Sequence, residues 1–282
     1  MESWFLYALA SAVFAGLYSF TTRVSAHYQH HSALVYVYSS LSAAILSGVY
    51  AMSVQPDTSR IVLIVFIACI DALAYLVVSM TRVDALKVID SAIFFPIYKV
   101  AASILTIPVG ILFFSDVLTG TQVIGIFIGL LAPVFLINNG ERLRQKNLSK
   151  GLLLTGVSVL AALLATVMSK MITVLHLDVS LYTFFAFAIG TPFAYLFYKR
   201  TNGQAHRKRH VEWLGLLGGI FMFGNLFFYV HALSGNLSMV FLINSFSTVI
   251  VVFLSVLIFR EHMDKKKVGA LVATIISLIL LK

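Results

Sequence analysis

The sequence predicts an all-α polytopic membrane protein with ten transmembrane helices, arranged as two inverted five-helix repeats. Three observations carry this. Only 11% of the 282 residues are charged and 60% are hydrophobic, with a mean hydropathy of +0.97, whereas a soluble domain carries roughly 25% charged residues. The apolar residues gather into ten runs near the ~20 residues that cross a hydrocarbon core ~30 Å thick. Each half holds five runs, and an odd number inserts the two halves in opposite senses.

The same composition excludes other classes. So few charges leave no surface for a soluble globular enzyme, and disorder requires low hydrophobicity with high charge. Cys69 is the single cysteine, which excludes an internal disulfide and a cysteine-based metal cluster. The net charge of +9 does not point to nucleic acid, because the basic residues fill short gaps between apolar runs, where a bilayer accounts for them.

The runs cover residues 3–23, 32–53, 61–80, 88–113, 119–137, 150–171, 178–198, 211–231, 236–259 and 266–281. They do not alternate as barrel strands do. Met1–Trp4 lacks the basic flank of a cleavable leader, so the first run is expected to stay. Polar residues recur at helical spacing: Ser11, Tyr18 and Thr22 on the first run, and Tyr36, Ser40 and Ser47 on the second. Asp71, Tyr75, Ser79 and Arg82 share a face of the third run, as do Ser91, Phe95, Lys99, Ser103 and Thr106 on the fourth. Pro96 and Pro108 are expected to kink or tilt that fourth run. Asn225 lies on the eighth run, and Asn244, Ser247, Thr248 and Ser255 stripe the ninth.

Lys and Arg are unevenly spread. The odd-numbered gaps hold Arg23, then Arg82 and Lys87, then Arg142, Arg144, Lys146 and Lys150. They also hold Lys199, Arg200 and Arg207–Arg209, and finally Arg260 with Lys265–Lys267. The even gaps and termini hold only Arg60, Lys170 and Lys282. Cytoplasmic loops concentrate positive charge, which puts the odd gaps inside and both termini outside. The tracts Arg207–Arg209 and Lys265–Lys267 read as anchors against anionic headgroups. A plasma membrane is the expected location, most simply a bacterial inner membrane.

The chain divides into residues 1–140, a basic linker 141–149 and residues 150–282. Asp84-Ala85-Leu86 and His231-Ala232-Leu233 close corresponding runs. So do Phe113-Phe114-Ser115-Asp116 and Ile258-Phe259-Arg260-Glu261, each followed by a glycine that opens a new run, Gly125 and Gly269. Thr21-Thr22-Arg23 and Met168-Ser169-Lys170 match as well. With this order of motifs the sequence resembles the EamA type of the drug/metabolite transporter superfamily. The resemblance implies ten helices in two inverted repeats and export of amino acids or related metabolites. The family often has Glu-Arg at the loop acid, where this chain has Asp116-Val117 and Glu261-His262. Both acids are read as caps of the helix that follows.

Asp71 and Lys99 are the two charges placed near mid-membrane, where an ionised group costs ~2.5–3.5 kcal/mol even on the lenient insertion scale. They are expected to face a central cavity with Tyr75, Tyr36, Asn225 and Asn244. There Lys99 would take a carboxylate or phosphate, and Asp71 an amine or a proton. The plainer expectation is that Asp71 and Lys99 pair and lock two helices. Gly125-x-x-x-Gly129 and Gly215-x-x-x-Gly219 suit close helix packing within one chain. His27, His30 and His31, or His206 and His210, lack an acid or cysteine at ligand spacing, so no metal and no cofactor is expected. The absence of G-x-x-x-x-G-K-[ST], G-x-S-x-G and H-E-x-x-H leaves ATP drive and a membrane-embedded enzyme without support.

The composite expectation is a secondary transporter of small polar metabolites such as amino acids, an exporter working by alternating access. Organic-anion, sugar-phosphate or multidrug exchange on the same fold is the alternative, and a membrane channel or membrane-embedded enzyme is the alternative of another class. Its partners are the bilayer, a small substrate and protons or a counter-substrate, with the chain a monomer or homodimer. The orientation is testable: a C-terminal tag should label from outside intact cells, and labelling only after permeabilisation would refute it.

Overall fold

Helices α1 (Ser3–His27), α2 (Ser32–Ser53), α3 (Ile61–Leu86), α4 (Ser91–Phe114) and α5 (Gly120–Phe135) make up the first half of the computed structural model. The second half holds α6 (Leu148–Val174), α7 (Val179–Arg200), α8 (Val211–Ala232), α9 (Leu237–Ser245) and α10 (Ser247–Phe259). The structure describes residues 3–89, 91–135, 148–201, 210–259, 269, 272–273, 275–277 and 279–280. Among these there is no strand. Eight segments are long and apolar enough to cross a membrane, with α5 a shorter apolar helix and α9–α10 part of one segment. The protein is an all-helical, multi-pass membrane protein.

Most predicted runs match a helix to within a few residues, and two departures have physical reasons. The third run stops at 80 because hydropathy falls at Arg82, whereas α3 continues to Leu86 because Arg82 is buried in protein rather than in a loop. The ninth run is interrupted at Phe246, where bonds from Phe246 N–H to Ile243 and from Val249 N–H to Phe246 tighten the turn. α4 keeps its helical pattern through Pro96 and Pro108. The tenth run is helical at each described residue from 269 to 280. Glu261-His262, Arg207–Arg209, Lys265–Lys267, His206 and most of the 141–149 linker lie outside the described residues.

The helices are amphipathic inside out. Leu41, Ile45, Val49 and Met52 line the exposed side of α2, and Leu153, Val157, Leu160 and Leu164 that of α6, at the spacing of one helix face. The opposite faces carry buried Ser, Thr and Tyr. Many of those hydroxyls bond back to their own helix, as Ser40 does to the Tyr36 carbonyl and Ser47 to that of Ala43, so each satisfies itself without water.

Packing runs between the halves. α1 lies on α8 and α3 on α6. α2 meets α7 and α8, and α3 also meets α7. α4 touches α6 and α9, and α1 touches α9. The α2–α8 contact depends on glycine. A Cβ on Gly215 would lie 2.5 Å from the Tyr38 Cβ, and one on Gly219 would run into the Ser39 carbonyl oxygen. Gly129 packs similarly against Ser277 and Leu242, so both glycine pairs serve contacts within the chain.

Asp116 corrects an expectation. It does not cap α5, the helix that follows it. α5 has a box of its own, with Thr119 N–H donating to Gln122 Oε1 at 3.0 Å and Gln122 N–H to Thr119 Oγ1 at 3.3 Å. Ser115, at φ 55°, turns the chain so that Asp116 reaches the start of α9. There it accepts from Ser238 N–H at 2.8 Å, the Ser238 hydroxyl at 2.7 Å and Leu237 N–H at 3.3 Å. Lys170 completes the tie, donating to the carbonyls of Leu233 (2.7 Å) and Gly235 (2.9 Å) just beyond α8. In the α6–α7 turn, burial raises the Asp178 carboxyl. Bonds from the Ser180 hydroxyl and the Leu181 and Asp57 N–H groups outweigh it, holding Asp178 below the usual carboxylate range.

Glycine packing makes opposite predictions at two sites. Gly219→Val should lower stability by about 1–3 kcal/mol through overpacking. Gly156→Ala, where a Cβ meets nothing within 4 Å, should be neutral or raise stability by up to about 1 kcal/mol. Thermal unfolding in detergent reads both, and a tolerated Gly219→Val would contradict the close α2–α8 contact.

Candidate functional site

Six helices converge on one partly open cavity. α1 supplies Tyr18 and Ser19, α3 Asp71, Tyr75 and Arg82, and α4 Tyr98 and Lys99. α6 supplies Thr166 and Ser169, α8 Asn225 and Tyr229, and α9 Phe241 and Asn244. The cavity measures about 70 Å³, the size of on the order of five water molecules. It draws on both halves of the chain. Asp71 lies ten residues into α3. The third run brings Asp71, Tyr75 and Arg82 to the cavity, the fourth Lys99 and the ninth Asn244, while the other described residues of those stripes do not line it.

A chain of hydrogen bonds spans it. Lys99 Nζ donates to Asn244 Oδ1 at 3.2 Å and to the Asn244 carbonyl at 3.4 Å. That carbonyl stands beside the interruption at Phe246, whose N–H it also faces. Asn244 Nδ2 donates to Ser11 Oγ at 2.7 Å and to Asn225 Oδ1 at 3.2 Å. Ser11 donates to Asn225 Oδ1 at 3.0 Å, and Asn225 Nδ2 to the Tyr75 hydroxyl at 3.3 Å. Lys99, Asn244, Asn225 and Tyr75 thus form one connected network across α4, α9, α8 and α3, joined by Ser11 of α1.

Asp71 stands apart from it. It is 1% exposed, its nearest polar neighbour is the Tyr182 phenol, and Tyr182 lies 3.0 Å from Ser169. One Asp71 oxygen, Oδ1, is buried without a hydrogen-bond partner among the described residues. Asp71 and Lys99 form no ion pair within 4.0 Å, and the Lys87–Asp84 bridge at 2.8 Å is the one such pair among the described residues. The expected mutual lock between Asp71 and Lys99 is therefore not made.

Of the six residues singled out in the sequence, five line the cavity and Tyr36 does not. Tyr36 is fully buried between α2 and α7, with its hydroxyl against Gly190. The second run's polar stripe turns toward α7 because α2 packs on α7 and α8 rather than on the cavity. Arg82 and Tyr18, members of the polar stripes on the third and first runs, also line the cavity, and Tyr98 and Tyr229 are lining residues that were not singled out in the sequence. Arg82 had a signal, since it shares the polar face of Asp71 and Tyr75, but it reads as a loop cation by charge counting. Tyr98 lies one position off the Lys99 stripe, whereas Tyr229 follows Asn225 by four residues, the spacing of one helix face, and so carried a signal on α8.

Residues 149–282 match the model of the EamA-like transporter family. No curated protein matches the chain. A solved crystal structure of another protein superposes with a TM-score of 0.77 over 99% of this chain and 96% of its own, at 13% identity. At that identity the likeness shows a shared fold.

Proposed function

The chain belongs to the drug/metabolite transporter superfamily by its EamA-like residues 149–282 and is a membrane transporter of that type, and from this premise we propose that it carries small polar metabolites such as amino acids by alternating access. The observation that supports this is the cavity lined by both halves, with Lys99 and Asp71 in its wall and neither neutralised by the other. Lys99, Asn244 and Asn225 receive the carboxylate end of the substrate. Asp71, with an oxygen free, takes the amine or carries a proton. Tyr75 stands between them. Export driven by proton or counter-substrate exchange completes the proposal.

An inverted repeat of residues 1–140 and 150–282 supports the movement. α1 ends with Gln29 in a left-handed turn and His30 N–H on the Ser25 carbonyl. α6 ends at the matching place with His176 left-handed and Leu177 N–H on the Ile172 carbonyl. The contacts exchange in the same way: α1 on α8 answers α6 on α3, α1 on α9 answers α6 on α4, and α2 meets α7 across the centre. Two related halves around one site rock between two openings with few new contacts. The location in a plasma membrane, most simply a bacterial inner membrane, with both termini outside, follows from the charge distribution.

Two variants test this in proteoliposomes with radiolabelled amino acids. Asp71→Asn should abolish the pH dependence of uptake while the protein stays monodisperse, and a mutant that keeps full dependence contradicts the proton role. Lys99→Ala should weaken substrate binding ~10- to 100-fold, the range of a lost charge-assisted hydrogen bond. Unchanged affinity removes Lys99 from the site.

A further inference from the structure

The reading of a small amino acid counts Lys99 as the cavity's cation. The structure places a second cation there. Arg82 is 7% exposed and lines the same cavity. Its guanidinium lies 5.2 Å from the centroid of the Tyr98 ring, and the Lys99 ammonium lies 5.8 Å from that same centroid. The two cations therefore share one aromatic ring.

The partners of Arg82 are neutral and long. Its Nη2 donates to the Tyr98 hydroxyl at 3.3 Å and its Nη1 to Ser19 Oγ at 3.5 Å, while Nε is buried without a partner among the described residues. Lys99 likewise bonds only neutral oxygens of Asn244. No carboxylate lies within 4.0 Å of either cation among the described residues. Asp71 sits on α3 eleven residues before Arg82, ~16 Å away along the helix axis, and it hydrogen-bonds Tyr182. A buried cation without a counter-charge is costly, and two beside one ring repel each other. A guanidinium presents a planar fork of donors suited to a carboxylate or another oxyanion.

We propose that Arg82 and Lys99 form one anion site beside Tyr98, and that the substrate is a small organic acid with a net negative charge: an acidic amino acid or a dicarboxylate. Arg82 is then the specificity-determining residue that separates acidic from neutral substrates. This rests on the transporter reading above and narrows its substrate class. A neutral zwitterion offers one carboxylate and satisfies one cation. A substrate with two acidic groups satisfies both and leaves Asp71 free to exchange a proton.

The test is uptake and competition binding by the full-length protein in liposomes with L-glutamate, succinate, L-alanine and L-lysine as probes. Glutamate and succinate should compete with each other and bind ~10- to 100-fold more tightly than alanine, with lysine weakest. Arg82→Gln should lose most of the affinity for the two acids and change that for alanine less than about threefold, which is under ~1 kcal/mol. Arg82→Lys should retain the preference for acids, and it replaces Arg82→Gln if the latter is not monodisperse. Alanine or lysine bound as well as the acids overturns the proposal and leaves the transporter reading standing. An equal loss for every probe in Arg82→Gln assigns Arg82 a structural role and also overturns it. Uptake of none of the four overturns both the acid site and the amino-acid reading on which it rests.

Discussion

The cost of keeping a charge inside a membrane governs this structure. An ionised side chain in hydrocarbon is tolerated only where protein, water or a ligand replaces the solvation it has lost. Asp71, Lys99 and Arg82 are all inside membrane-spanning helices and all nearly inaccessible. None touches lipid, and none of the three neutralises another. Helices from both halves of the chain must surround them, and the cavity is the result.

The rest of the fold serves that arrangement. Large aliphatic side chains on α2 and α6 face outward, and the serine, threonine and tyrosine faces turn inward. Without a hydrophobic force to press helices together, contact depends on shape and hydrogen bonds. Gly215 and Gly219 let α8 settle on α2, and Asp116 and Lys170 pin the α8–α9 turn to neighbouring elements. Beside the interruption at Phe246, the Asn244 carbonyl adds a backbone oxygen that accepts from Lys99.

Most of the fold was legible in the sequence, because apolar run length and charge-poor composition have few explanations other than membrane helices. Helix boundaries were less legible where polar residues face protein: Arg82 ended a hydropathy run without ending a helix. The cavity was legible through periodicity at Asp71, Tyr75, Lys99 and Asn244. Periodicity gives a face but not the neighbour that the face meets, so Tyr36 was assigned to the cavity although it packs against α7. It is also blind to residues brought together from distant turns. Neither the capping of α9 by Asp116 nor the meeting of Arg82 and Lys99 at Tyr98 has a local signature.

The central claim is that Lys99 faces an aqueous cavity while the other side of the same helix faces lipid. Cysteine accessibility tests it most directly. In a Cys69→Ser background, Lys99→Cys and Ile104→Cys are treated with a membrane-impermeant, water-soluble thiol reagent; Ile104 is 54% exposed on the outer face of α4. The account predicts modification at position 99 and none at position 104. Modification at 104 with none at 99 would contradict it.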